Sequence, residues 1–343
     1  MQMNPSKFLF TSCLILGTLI TISSNSWLGV WMGLEINLLS FIPLMTNHNN
    51  ILTTEASLKY FLIQTFASAI LLFAIITSYV MSHTTFQFNI EFPYSILIIS
   101  ALLLKMGAAP FHFWFPGTME GLNWWNCFIL MTWQKIAPLI LLSYTASFNI
   151  FLLCIIMTCT IIGSIGGLNQ TSLRKLMAYS SINHLGWMIA ALILSDNLWI
   201  FYFSMYAFLT ASIVFLFNCF QIYHMNQNFL MLTHNPTIKF YLFTSLLSLG
   251  GLPPFLGFLP KWLVIQTMAE TMSPFLITIM VITTLLTLFY YLRITFSAFL
   301  LNYSEVKWNS PLTLNYNLFL KLTTLASIST FGLSLSTLMY FLL

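Results

Sequence analysis

Charged residues are scarce in this chain. They make up 5% of its 343 residues, whereas hydrophobic residues make up 59%. A soluble domain carries about 25% charged residues, so the composition excludes a water-exposed fold and indicates a polytopic protein in a lipid bilayer. The net charge of +4 is dispersed, with no basic patch, which argues against nucleic acid as a partner.

Sequence patterns for metals, cofactors and secretion are also missing. The five cysteines follow no CxxC or metal-ligand spacing, and the chain has no Gly-rich phosphate loop, GxGxxG turn or paired metal ligands. The first apolar segment lacks a cleavage site, so we expect no signal peptide. We therefore expect no metal and no cofactor bound by this chain itself.

Long apolar runs are what the sequence has instead. About eleven are long enough to cross a bilayer at roughly 20 residues each, which predicts an all-α polytopic membrane protein folded as one domain over 1–343. The ninth run is too long for one straight helix. The runs lie near 8–22, 27–45, 57–80, 94–116, 125–144, 148–166, 173–194, 197–222, 239–271, 274–301 and 318–342.

Two of these runs share a motif in which a lysine stands beside glycine and proline. Residues 101–117 read ALLLKMGAAPFHFWFPG, and residues 247–262 read LSLGGLPPFLGFLPKW. When Pro254 is aligned on Pro110, Gly251 falls on Gly107. Proline removes a helical hydrogen bond, so the helices near 94–116 and 239–271 should break near 107–110 and 250–254.

The broken helices are the fourth and the ninth of the predicted spans. Five spans apart, they run in opposite directions, which predicts two inverted five-helix repeats, roughly 57–195 and 197–342. Of the eleven Lys and Arg, three fall inside spans, and the others fall on the side that holds the N-terminus. The positive-inside rule then places the N-terminus in the cytoplasm or the mitochondrial matrix and the C-terminus on the opposite side.

Four ionisable residues fall well inside predicted spans: Glu35, Lys105, Lys135 and Lys261. A charge at mid-span costs about 2.5–3.5 kcal/mol on insertion scales. Snorkelling or a structural ion pair explains any one of them, but four together favour proton conduction, because desolvation disfavours the charged form of lysine. Lys105 should close the first half of its helix, where the dipole favours its charge. Lys261 should open the second half of its own, where the dipole opposes it.

His112 and His184 are the histidines that we expect within the membrane. Neither has a second histidine on its helix, as haem ligation would require, and a hydrogen-bonded histidine in a polar core is the simpler interpretation of each. Imidazole titrates near neutral pH, so both are also candidates for a proton relay.

Five segments together resemble one known family. They read WMGLEINLLSFIP (31–43), LLLKMGAAPFHFWFP (102–116), MTWQKIAPL (131–139), GGLNQTSLRKLMAYSSINHLGWM (166–188) and SLGGLPPFLGFLPKW (248–262). Over essentially the whole chain, they are similar to the chain 2 family of mitochondrial NADH:ubiquinone oxidoreductase, respiratory complex I. Its members are antiporter-like subunits related to Mrp-type cation/proton antiporters. Longer relatives begin with three further helices, and this chain starts at what resembles their fourth. Animal mitochondrial forms share that truncation.

The resemblance implies a function and a site. In that family a Glu and three Lys form a charged axis, and the matching positions are Glu35, Lys105, Lys135 and Lys261. It implies that redox chemistry elsewhere disturbs the pair of Glu35 and Lys105, after which a proton moves through water and histidine toward the other lysines. The subunit would belong to an enzyme that reduces ubiquinone with NADH and translocates protons.

The resemblance also implies location and partners. The chain would lie in the mitochondrial inner membrane, with its N-terminus in the matrix and its C-terminus in the intermembrane space, between the chain 4L and chain 4 subunits and in contact with accessory subunits. FMN, iron–sulfur clusters and ubiquinone would be bound by other subunits. Two alternatives stay open: a subunit of an Mrp-type cation/proton antiporter, which would share the repeat and the lysines, and a structural spacer, which would tolerate their loss.

Overall fold

The computed structural model describes residues 5–47, 50–82, 91–145, 150–225, 227, 236–271, 273–300 and 316–342. Over these ranges the regular structure is helical, apart from an isolated antiparallel bridge between Ser172 and His224. This confirms the predicted all-α class. Eight of the described helices are long and apolar enough to cross a membrane, and two shorter apolar helices cover Tyr94–Met106 and Phe240–Gly250.

Residues Met1–Ile155 form one compact unit. Its helices α1 and α2 come into backbone contact, because a Cβ on Gly17 would lie 2.9 Å from the Asn37 amide nitrogen and one on Gly33 would lie 2.8 Å from the Thr21 amide nitrogen. Small residues at helix crossings are typical of membrane proteins. The helices are α1 (Pro5–Ser23), α2 (Trp27–Met45), α3 (Ile51–Ser82), α4 (Glu91–Met106), α5 (Trp114–Gly121), α6 (Trp124–Met131) and α7 (Trp133–Thr145).

Residues Ile156–Leu343 form a second compact unit. Its most buried helix is α9, which packs against α10, α12 and α13. The helices are α8 (Ile150–Leu168), whose first residues precede the unit, α9 (Leu173–Leu194), α10 (Asp196–Phe220), α11 (Pro236–Gly250), α12 (Phe258–Glu270), α13 (Pro274–Leu300) and α14 (Tyr316–Leu342).

Two helices are interrupted at the Gly/Pro motifs. Helix α4 ends at Met106 and α5 begins at Trp114, while α11 ends at Gly250 and α12 begins at Phe258. These interruptions confirm the predicted breaks near 107–110 and 250–254. Residues on both sides of each break are helical, so each motif produces two half-helices.

Both breaks begin with the same helix end. Gly107 has φ +72° and Gly251 has φ +82°, a left-handed conformation that glycine adopts without steric cost. In the first break, the Ala108 amide donates to the Leu103 carbonyl at 3.0 Å. In the second, the Leu252 amide donates to the Leu247 carbonyl at 3.4 Å. Both are the long hydrogen bond of a Schellman cap.

The match continues to the start of each second half-helix. The Phe115 amide donates to the His112 carbonyl at 2.9 Å, and the Leu259 amide donates to the Leu256 carbonyl at 3.2 Å. Donors and acceptors of the second break each stand 144 residues after their counterparts in the first. The alignment drawn from the sequence therefore corresponds to matching backbone hydrogen bonds.

Candidate functional site

Lys105 lies in the last turn of α4 and is 7% exposed. Side chains of other segments bind the carbonyl oxygens at this helix end: Gln64 Nε2 donates to the Lys105 carbonyl at 3.1 Å, and Trp114 Nε1 donates to the Leu104 carbonyl at 3.2 Å. The position confirms that Lys105 closes the first half of its broken helix. There the negative end of the helix dipole favours an ammonium group.

Glu35 is half-buried on α2, and its buried Oε1 atom has no hydrogen-bond partner among the described residues. The carboxylate is close enough to Lys105 and to Tyr60 to interact with both electrostatically. A buried carboxylate oxygen without a hydrogen bond is costly to keep charged. A change in the charge of Lys105 therefore changes the electrostatic environment of this carboxylate.

A polar network connects three helices of the first unit. The Tyr60 hydroxyl on α3 donates to Gln134 Oε1 on α7 at 3.4 Å, and Gln134 Nε2 donates to Asn37 Oδ1 on α2 at 3.0 Å. Sequence reasoning did not identify these residues. The available signal was their position: Gln134 immediately precedes Lys135, and Asn37 lies two residues after Glu35.

Lys135 is 1% exposed and lies at the start of α7. The run predicted near 125–144 corresponds to a candidate span over Trp124–Thr145, which turns at Thr132 between the end of α6 at Met131 and the start of α7 at Trp133. The Thr132 hydroxyl donates to the Phe128 carbonyl at 2.7 Å, and the Lys135 amide donates to the Thr132 carbonyl at 3.1 Å. Lys135 Nζ lies 5.3 Å from the ring centroid of Phe115, within the range of a cation–π interaction.

His112 lies in the break between α4 and α5, where it is 5% exposed. Its Nδ1 atom lies 3.2 Å from the Pro110 carbonyl oxygen, and its ring centroid lies 4.4 Å from that of Phe113. The imidazole is therefore held within the interrupted segment, in the same unit as Lys105 and Lys135.

Lys261 is 5% exposed and lies in the first turn of α12. Its Nζ atom donates to the carbonyl oxygen of Gly250, the last residue of α11, at 2.8 Å. A Cβ on Gly251 would lie only 2.9 Å from Nζ, so a side chain at that position would crowd the ammonium group. The position of Lys261 in the first turn confirms that it opens the second half of its helix, and the bond to Gly250 adds a favourable contact that the sequence did not reveal. The long side chain reaches back across the break to the negative end of the preceding half-helix.

His184 is buried on α9. Its Nδ1 atom lies 2.9 Å from the Tyr202 hydroxyl, and its ring centroid lies 5.1 Å from that of Tyr206. This geometry agrees with the simpler interpretation, a hydrogen-bonded histidine in a polar core. It is also the contact that a proton relay would need. Sequence reasoning missed both tyrosines, because tyrosine is common in apolar helices.

The candidate residues are grouped by unit. Glu35, Lys105, Lys135 and His112 belong to the first unit, and His184 and Lys261 belong to the second. Over the ranges that the structure describes, no three His, Cys, Asp or Glu side chains are grouped in a way that could hold a metal ion.

Comparison with known proteins relates the whole chain to one family. The family described as NADH:quinone oxidoreductase/Mrp antiporter, TM, matches residues 24–287. A protein of Anopheles gambiae named NADH-ubiquinone oxidoreductase chain 2 is 59% identical over 304 residues, covering 88% of this chain and 89% of the relative. A protein of Aedes aegypti with the same name is 56% identical over 339 residues, covering 98% and 99%.

Solved structures share the fold at lower identity. A chain of respiratory complex I from Thermus thermophilus with bound aureothin matches with a TM-score of 0.82 and 23% identity, covering 96% of this chain and 79% of that one. A chain of the Mrp complex from Dietzia sp. DQ12-45-1b matches with a TM-score of 0.76 and 17% identity, covering 90% and 63%. The antiporter-like arrangement of helices is therefore common to all three.

Proposed function

Because the chain belongs to the NADH:quinone oxidoreductase/Mrp antiporter transmembrane family, we propose that it is a core membrane-arm subunit of a proton-translocating NADH:ubiquinone oxidoreductase. Relatives at 56% and 59% identity carry the name NADH-ubiquinone oxidoreductase chain 2. In this role the chain performs no redox chemistry. Its part is to couple electron transfer from NADH to ubiquinone in other subunits to the movement of protons through the membrane.

One observation carries the mechanism: each buried lysine stands at an interruption in a helix. Lys105 ends α4, Lys135 follows the interruption at Thr132, and Lys261 binds across the break between α11 and α12. Interrupted helices expose backbone dipoles inside the membrane and create sites where ions can bind. A structural ion pair between intact helices would need no such placement.

The proposed steps follow from this arrangement. When redox chemistry in another subunit changes the charge near Glu35, the interaction of Glu35 with Lys105 changes and alters the proton affinity of that lysine. The proton then moves through water and His112 toward Lys135, and later through His184 toward Lys261. Each lysine changes between its ammonium and amine forms as the proton passes.

The architecture proposed for this function is that of an inverted repeat. Eleven spans, with two inverted repeat units over roughly 57–195 and 197–342, would place the two broken helices in opposite directions across the membrane. The matching hydrogen bonds at the two breaks support the repeat. The N-terminus would face the matrix of the mitochondrion and the C-terminus the intermembrane space.

The subunit would work only as part of its complex in the mitochondrial inner membrane. The expected neighbours are the chain 4L and chain 4 subunits and accessory subunits, while FMN, iron–sulfur clusters and ubiquinone are bound elsewhere in the complex. Co-purification with an NADH-oxidising complex tests this assignment. Recovery only with other cation/proton antiporter subunits would instead identify an Mrp-type antiporter.

The decisive experiment replaces Lys135 and Lys261 individually with methionine in the assembled complex. We expect NADH oxidation by artificial acceptors to persist and the number of protons pumped per electron to fall. The matched control is Lys59→Met, because Lys59 is exposed on α3. Wild-type pumping by the two buried-lysine variants, in a complex that assembles normally, would identify a structural spacer.

A further inference from the structure

A cluster of buried hydroxyl groups lies in the second unit. We call it the hydroxyl cluster; its members come from α9, α10 and α13, and none is more than 3% exposed. Phenylalanine could fill the space of each tyrosine without burying a polar group. The retained hydroxyls therefore need an explanation other than packing. The members are Ser180, Ser181, Tyr202, Tyr206, Tyr290 and Tyr291.

One end of the hydroxyl cluster is at His184. The Tyr202 hydroxyl lies 2.9 Å from the His184 Nδ1 atom, so a proton can pass directly between these two groups. The Tyr206 ring packs against the imidazole at a tilt of 42°, and its hydroxyl interacts with the Ser181 hydroxyl. Tyr202, Tyr206 and Tyr291 are close enough to interact electrostatically with one another.

The other end of the cluster is at the break that holds Lys261. The Tyr291 hydroxyl interacts with those of Ser180 and Tyr290. The Tyr291 ring packs against Gly250, where a Cβ would lie 3.4 Å from Tyr291 Cδ2. The carbonyl of that same glycine accepts the hydrogen bond from Lys261 Nζ. The hydroxyl cluster therefore begins at the imidazole of α9, and the ring of Tyr291 at its other end packs against the residue whose carbonyl binds the ammonium group.

The hydroxyl groups of the two tyrosines of α13 can each form a further hydrogen bond. Among the described residues, the buried hydroxyl oxygens of Tyr290 and Tyr291 make no close hydrogen bond. Buried polar groups in proteins are nearly always hydrogen-bonded, to protein or to ordered water. A water held between hydroxyls, where two to four polar partners surround it, would satisfy both tyrosines.

We propose that the hydroxyl cluster, with bound water, carries protons between His184 and Lys261. This rests on the proposed function, in which both residues take part in proton translocation. A hydroxyl accepts the incoming proton on an oxygen lone pair and passes its own proton to the next acceptor, so it ends neutral and resets by rotation. Phenols stay neutral near pH 7, since their ordinary pKa is about 10. Charge is then stored only at the imidazole and the amine.

Removing single hydroxyl groups in the assembled complex tests the proposal. In Tyr202→Phe and Tyr291→Phe we expect quinone-linked turnover and pumping to fall roughly tenfold or more, since a positioned proton-transfer group contributes at least that much. The solvent deuterium isotope effect on turnover should rise, because proton transfer becomes rate-limiting. A packing defect alone would not raise it. NADH oxidation by artificial acceptors should be unchanged.

Two controls separate this proposal from the function on which it rests. Tyr241→Phe removes a hydroxyl of α11 outside the cluster and should pump like wild type. Lys261→Met should lose pumping. If both cluster variants pump like wild type while Lys261→Met does not, the hydroxyl cluster is structural and the proposed function stands.

If Lys261→Met itself pumps normally, the part of the proposed function that gives Lys261 a role in proton transfer is wrong. Should Tyr291→Phe fail to assemble, Tyr202→Phe decides alone, since its hydroxyl contacts His184 directly. Failure of both to assemble would assign the hydroxyls to stability and reject the proposal.

Discussion

Lys105 and Lys59 provide the sharpest comparison between single residues. Both are lysines on helices of the first unit, but Lys105 is buried at a helix end near Glu35, whereas Lys59 is exposed. In Lys105→Met, the substitution adds no charge to the protein interior, so the complex should still assemble. We expect quinone-linked pumping to fall roughly tenfold or more. Proton uptake and NADH oxidation in reconstituted vesicles measure this.

The Lys59→Met variant should lose little pumping, because an exposed lysine head can reach water or lipid headgroups. If Lys105→Met assembles and pumps like wild type, the buried lysine has only an architectural role.

The rarity of charge explains which site residues the sequence reveals. An ionisable side chain inside an apolar run is conspicuous, so Glu35 and the three lysines could be found without a structure. Tyrosine and glutamine are not conspicuous in such runs, and Gln134 and Tyr291 were missed. The bond from Lys261 to Gly250 was also missed, because it depends on how the chain crosses a break and not on the helix that carries the lysine.

At the level of single elements, the glycine of each break fixes the helix end. Gly107→Ala introduces a Cβ that would lie 3.0 Å from the Phe115 Cβ, at a φ of +72°. The left-handed conformation alone costs about 1–2 kcal/mol for a residue with a side chain. We expect less assembled complex and faster loss of activity on heating, measured by the fraction of complex that survives a fixed incubation.

The matched control for this substitution lies in the adjoining half-helix. A Cβ on Gly117 meets nothing within 4 Å, so Gly117→Ala should leave thermal survival unchanged or improve it, because alanine favours the helix. Equal losses in the two variants would show that the cost is not specific to the glycine cap.

Gly251→Ala should have a second effect that Gly107→Ala lacks. Its Cβ would lie 2.9 Å from Lys261 Nζ, so the ammonium must shift relative to the Gly250 carbonyl. We expect pumping per electron to fall in the complex that does assemble, measured as vesicle acidification for each NADH oxidised. If less complex assembles but the assembled complex pumps normally, Gly251 is needed for the helix end and not for the proton pathway.

The prediction of elements succeeded where the sequence contains a strong helix breaker. Proline and glycine at 107–110 and 250–254 showed where the two half-helices separate. The interruption at Thr132 was not predicted, because threonine is tolerated in apolar helices. Its hydroxyl bonds to a carbonyl of the preceding turn only once the helix has folded.

For the whole molecule, the distribution of basic residues predicts orientation. We expect the N-terminus and the 168–175 loop to face the matrix and the C-terminus to face the intermembrane space. Membrane-impermeant labels applied to intact mitochondria and to inverted inner-membrane vesicles measure the side of each segment. Labelling of both termini from one side would contradict eleven spans. The fold class followed from composition alone, whereas the function required resemblance to a family, since proton transfer leaves no cofactor motif.

The hydrogen bond from Lys261 to Gly250 has a consequence for the rate at which a proton leaves this lysine. A bond from a charged donor is worth about 1.5–3 kcal/mol, and loss of the proton weakens it, so discharge of the amine and release of the α11 end occur together. Collective helix motions take microseconds to milliseconds. We therefore expect the viscosity of the surrounding bilayer to limit how fast this proton departs. Turnover measured in progressively stiffer lipid mixtures should slow in wild type and lose that dependence in Lys261→Met.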